Sequence, residues 1–154
     1  MVNENVVRHL EKQMLFTGLT YSGHPLACAA GLAAVRTYED EKLIERSRRL
    51  GGAMLLELKR LQQKHRVIGD VRGGHGLFAI VELVSDPISR APLARWPETP
   101  PQLTALVQKA LARGVSFAVR GNLIILAPPL VIEERELADA LALLDRLFSE
   151  MESA

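Results

Sequence analysis

The chain has 154 residues, 48% of them hydrophobic, which is the size of one ordinary domain with enough apolar material for a core. Its 19 basic and 18 acidic side chains leave a net charge of +1, and only 5% of residues are aromatic, so nucleic acids and other polyanions are not expected partners. The one cysteine, Cys28, builds neither a disulfide framework nor a multi-cysteine zinc site, and no run approaches the roughly 18 to 20 apolar residues of a membrane span. With no signal-peptide layout in residues 1–13, the expectation is a soluble protein of a reducing, cytoplasmic setting, with no membrane partner.

Residues 4–14 carry Val6, Val7, Leu10 and Met14 at spacings of three and four, which predicts a short amphipathic helix. A polar loop, 16–25, follows, and Pro25 suits the first turn of the next helix because it has no N–H to leave unpaired there. From Leu26 to Tyr38 the sequence is dominated by alanine and other small residues, which predicts a helix able to approach a neighbouring backbone closely. After a break at Glu39, Asp40 and Glu41, the recurrence of Leu43, Leu50, Met54, Leu58 and Leu61 predicts a long amphipathic helix reaching His65.

Residues 67–71 and 77–81 are apolar runs around the turn-rich Gly73, Gly74, His75 and Gly76, and they predict two strands or one bent strand. Residues 86–101 hold five prolines and the only tryptophan, Trp96, and predict an irregular excursion. A helix over 101–113 stopped by Gly114 comes next, then strands over 115–119 and 123–126 joined at Gly121 and Asn122, with Arg120 at the hairpin tip. Leu137, Leu141, Leu144 and Phe148 trace one face of a closing helix after an acidic first turn. The pattern is α+β, a small antiparallel sheet covered by helices.

Two places could carry chemistry. The loop Thr20, Tyr21, Ser22, Gly23, His24 offers hydroxyls and backbone N–H groups just before a helix N-terminus, where a phosphate binds favourably; a capped helix start with a packed tyrosine suits the same residues. Arg120 has a planar guanidinium able to clamp a carboxylate with two hydrogen bonds, although an exposed turn arginine fits as well. Arg72 could also reach a carboxylate or phosphate, but at a strand end it reads first as a structural partner of a nearby acid or backbone carbonyl. The four histidines, His9, His24, His65 and His75, show no metal-ligand spacing, so no metal site is expected.

The run TYSGHPLACAAG from Thr20 to Gly31 closely resembles a signature of class III pyridoxal-phosphate-dependent aminotransferases. Residues 68–73, IGDVRG, with Gly76, Leu77 and Phe78, are similar to the start of that family's small domain. Gly121, Asn122, Leu123 and Ile124, with Ala127, Pro128, Pro129 and Leu130, are similar to its final strand and turn. These pieces stand in family order over about 16–148. Many relatives have a histidine where this chain has Thr17, which touches the detail of the loop.

The resemblance implies the C-terminal portion of such an enzyme: residues 1–35 a segment packed on the large domain and the dimer interface, and 36–154 the C-terminal small domain of a fold-type I pyridoxal phosphate enzyme. It implies that Thr20 contacts the cofactor phosphate of the neighbouring subunit, with Ser22 and Tyr21 nearby, and by context that Arg120 meets the carboxylate of an amino acid or keto acid substrate. The catalytic lysine of the family lies upstream of the Thr20 motif. Here only Lys12 precedes Thr20, and it lacks the family's glycine-rich surroundings. The expectation is therefore no catalytic residue in this chain, no transamination by the chain alone, and cofactor binding only in the intact enzyme. Expected partners are a second copy of the chain and, by the same resemblance, a separate lysine-bearing domain. The other reading is a non-catalytic dimerisation or binding module on the same fold.

Overall fold

The computed structural model describes residues 3–13, 18 and 20–153, in two compact units, Met1–Asp40 and Glu41–Ala154. In the first unit, α1 (Glu4–Leu10) is capped by Asn3, whose side chain accepts from the N–H of Val6 at 3.0 Å. It is shorter than its apolar spacing predicts, and Met14 lies outside the described residues. Helix α2 (Pro25–Asp40) has proline as its first residue and contains no buried residue.

The second unit opens with α3 (Leu43–Lys64), which buries Leu43, Leu50, Gly51, Met54, Leu58 and Leu61 along one face, the stripe that the leucine spacing predicts. Strands β1 (Ile68–Gly73) and β2 (Ala79–Asp86) form an antiparallel pair, with a register shift between Ile68 and Asp70. A two-residue strand, β3 (Ala91–Pro92), pairs with the far end of β2, so the proline-rich excursion is partly drawn into the sheet rather than wholly irregular. After α4 (Pro101–Leu111), strands β4 (Ala118–Arg120) and β5 (Leu123–Leu126) make a hairpin, and β5 adds to β2. The order is β1-β2-β5-β4, antiparallel throughout. Helix α5 (Glu134–Glu152) closes the chain behind a capping box made by Glu133 and Glu136.

Alternation decides which side of the sheet meets the helices. Ala79, Val81 and Leu83 on β2, with Ile124 and Leu126 on β5, are buried in one cluster with Met54, Leu58, Leu61, Leu144 and Phe148. Their neighbours Ile80, Glu82, Leu123 and Ile125 are half-buried on the opposite face. The α+β architecture with a small antiparallel sheet is thus the observed one. Residues 115–117, predicted as strand, are not one: the β4–β5 pairing starts with Ala118 opposite Ile125, and β5 ends at Leu126, so the residues ahead of β4 gain almost no partner strand. Conversely, β2 runs on through Glu82 and Asp86, polar residues that gave no strand signal but are paired by β1 and β3, with Ser85 at the register shift between Val84 and Asp86.

Candidate functional site

The hydroxyl loop belongs to the first unit. Thr20, Tyr21 and Ser22 are exposed, and the chain turns after them with the N–H of His24 bonded to the carbonyl of Tyr21 at 3.1 Å. Gly23 takes φ +73°, the left-handed region that a side chain disfavours, and so lets the turn close directly into α2. The His24 carbonyl then accepts from Cys28 at 2.9 Å as the helix starts. The rings of Tyr21 and His24 meet edge to face, with centroids 5.8 Å apart, yet Tyr21 remains 77% exposed. A tyrosine packed into a core, the plainer reading of this loop, is therefore not what is found. The first turn of α2 carries no acidic residue, so the positive end of a 16-residue helix stands beside two hydroxyls and a phenol without an opposing charge in that turn.

Arg120 belongs to the second unit, as the last residue of β4 and paired across the hairpin with Leu123; the tip itself is Gly121 and Asn122. Its guanidinium carbon lies 5.6 Å from the ring centroid of Trp96. Among the described residues no acidic side chain pairs with it. Arg72, in contrast, is held by two acids: Nη1 donates to Asp70 at 2.7 Å and to Glu82 at 2.6 Å. The hydrogen bond from Arg72 is the main reason that the Asp70 carboxyl is held below the usual carboxylate range. Arg72 is a structural cation between two strands, whereas Arg120 keeps its N–H edges free of acidic partners.

The lysines are equally informative. Lys64 lies 2.8 Å from both oxygens of Asp145, Lys109 lies 2.7 Å from Glu150, and Lys59 bonds Gln62 at 3.2 Å. These are solvated or paired helix-face cations, not desolvated amines of the kind a nucleophilic lysine requires. Sequence reasoning left two things unplaced. One is Trp96, which only the tertiary structure brings to Arg120. The other is His65, which is 2% exposed and sits between Asp145 (Nε2 to oxygen 2.6 Å) and Glu152 (Nδ1 to oxygen 3.0 Å). Burial opposes ionisation of both carboxyls, but hydrogen bonds to Asp145 from Lys64 and His65, and to Glu152 from His65 and the Val67 N–H, hold both below their ordinary range. Among the described residues no cluster of histidine, cysteine and carboxylates suits a metal.

A family model described as aminotransferase class-III matches residues 1–148. The chain belongs to the class III aminotransferase family. Among similar proteins, the 5-aminovalerate aminotransferase DavT of Pseudomonas aeruginosa is 36% identical over 137 residues, 87% of this chain and 30% of that protein. The 4-aminobutyrate aminotransferase of Mycobacterium leprae is 38% identical over 137 residues, 86% of this chain and 29% of that protein. The solved taurine:2-oxoglutarate aminotransferase of Bifidobacterium kashiwanohense, in complex with PLP and glutamate, superposes with a TM-score of 0.89 at 29% identity, covering 99% of this chain and 34% of that one. The chain thus spans about a third of the length of its class III relatives, a family whose enzymes depend on pyridoxal phosphate.

Proposed function

We propose that this chain is the C-terminal portion of a class III aminotransferase, contributing a phosphate-binding loop and a carboxylate-binding arginine to an enzyme whose lysine-bearing region lies elsewhere. Pyridoxal phosphate, when bound, supplies the electron sink for amino transfer between an amine or amino acid and a keto acid. The hydroxyl of Thr20, with Ser22 and Tyr21 beside it, holds the phosphate, and the end of the α2 dipole favours the same negative charge. The exposure of these hydroxyls ahead of an acid-free helix start supports the fit. Arg120 orients a substrate through its carboxylate, and no lysine of the chain is assigned a proton-transfer role.

The observation that carries this reading is α2. A 16-residue helix of mainly small apolar residues, with Leu26, Leu32, Val35 and Tyr38 exposed, has the composition of a buried element and buries nothing. We assign residues 1–35 to the large-domain and dimer contacts of the intact enzyme and 36–154 to its small domain. The enzyme is a homodimer in this reading, as class III aminotransferases typically are, and cytoplasmic. The non-catalytic dimerisation module rests on the same helix.

The test begins with the purified chain and pyridoxal phosphate. The expected result is no covalent cofactor absorbance that survives gel filtration; a stable band abolished by mutating one lysine overturns the division of labour. When the chain is joined or mixed with a lysine-bearing region, Thr20→Ala should weaken cofactor retention roughly tenfold, the loss of one hydrogen bond to a charged group. Stable self-association without recruitment of that region selects the non-catalytic module.

A further inference from the structure

Trp96 stands on the hairpin by several independent contacts. The side-chain amide of Asn122 accepts from the N–H of Ala94 at 3.0 Å and donates to its carbonyl at 2.8 Å, which fastens the excursion to the turn two residues before Trp96. Gly121, at φ +57°, leaves the space that a side chain would fill, and a Cβ there would lie 2.8 Å from Cε3 of the indole. The ring is thus seated on the Gly121 backbone, with one face toward the Arg120 guanidinium, and is still 59% exposed. An indole so exposed contributes little burial of its own, which makes a purely core-filling role a poor account of it.

We infer that Trp96 is a positioning residue that holds Arg120 ready for an anionic ligand carboxylate. This rests on the reading of Arg120 as the carboxylate-binding residue. A guanidinium over an aromatic face is attracted by the ring without using a hydrogen-bond acceptor, so its N–H groups stay available to a carboxylate. The contact therefore restrains the guanidinium without satisfying its hydrogen-bonding edge. Among the described residues no acid competes for that edge: Asp70 and Glu82 are engaged by Arg72, and Glu98 forms no ion pair with Arg120. Restraint before binding removes part of the side-chain entropy otherwise lost on clamping a ligand, a cost of about 0.5 to 1.5 kcal/mol for a long side chain, or about two- to tenfold in affinity.

Because Trp96 is the only tryptophan, its fluorescence reports directly on the ligand that Arg120 takes. The purified full chain is titrated with L-glutamate at constant ionic strength, against sodium chloride as control, with binding in the variants followed by arginine side-chain N–H resonances. Expected are a saturable response in the parent chain, its loss in Arg120→Met as read by Trp96 fluorescence, and, by the Arg120 resonances, affinity weakened about two- to tenfold in Trp96→Leu and recovery in Trp96→Phe, with β4 and β5 amide resonances unmoved. A merely structural tryptophan would move those amides and would not spare Phe. Unchanged affinity in Trp96→Leu overturns the positioning role and leaves Arg120 as the carboxylate ligand. Unchanged affinity in Arg120→Met, or no glutamate-specific response in the parent chain, overturns the assignment of Arg120 itself.

Discussion

Two adjacent glycines on α3, Gly51 and Gly52, should respond to the same substitution with opposite sign. Alanine inside a helix is favoured over glycine by about 0.8 to 1 kcal/mol, through backbone entropy alone. Gly52 is exposed and a Cβ there meets nothing within 4 Å, so Gly52→Ala should stabilise by nearly that full amount. At Gly51 the same Cβ would press into the carbonyl group and Cα of Gly76. That loop cannot simply retreat: the Gly76 carbonyl accepts from the Phe78 N–H at 2.9 Å, and the Leu77 N–H donates to Ser47 Oγ at 3.0 Å. Overpacking against fixed backbone costs about 1 to 3 kcal/mol or more, which outweighs the helical gain. Gly51→Ala should therefore be destabilised by roughly 1 to 2 kcal/mol, and the two variants should differ by about 2 to 3 kcal/mol. Urea unfolding followed by far-UV circular dichroism, with unchanged m-values, reads this difference, as does a melting-temperature gap of roughly 4 to 12 °C. A Gly51→Ala chain as stable as Gly52→Ala would show that the loop yields freely and that close helix-loop packing is not what Gly51 provides.

The His65 cluster should be costly to break. His65→Ala removes one donor each from Asp145 and Glu152, which keep Lys64 and the Val67 N–H, and is expected to lose about 1.5 to 3 kcal/mol in the same urea assay, while a loss under about 1 kcal/mol would mean that the contacts are incidental. Acid should weaken the unit through the same carboxyls. Their folded-state values are depressed, so the stability they confer is complete above the unfolded carboxylate value of roughly 4 and is lost as pH falls through the folded values. The drop in urea midpoint below about pH 4 should be smaller in an Asp145→Asn, Glu152→Gln double variant than in the parent chain. An equal drop in both would place the acid sensitivity elsewhere.

Much of this molecule was legible in order along the chain. The period of Leu43, Leu50, Met54, Leu58 and Leu61 specified α3 because a helix must turn a 3.6-residue repeat toward one core, and Gly121, at φ +57°, marked the tight turn between β4 and β5 because few residues but glycine adopt that φ readily. The ordered motifs from Thr20 to Leu130 carried the family as well. What the sequence could not contain was contact between residues far apart in it. The polar end of β2 became strand only when β1 and β3 supplied partners, and residues 115–117 failed to do so for want of one. His65 read as a helix-end histidine until α5 brought Asp145 and Glu152 against it. In the same way Arg120 was a candidate by residue type, by its place at the hairpin and by the family resemblance, none of which names its neighbours in space. Only the fold, by fastening Ala94 to Asn122 and laying Trp96 over Gly121, gave that guanidinium a support, because stacking is a matter of position in space and leaves no mark in spacing along the chain.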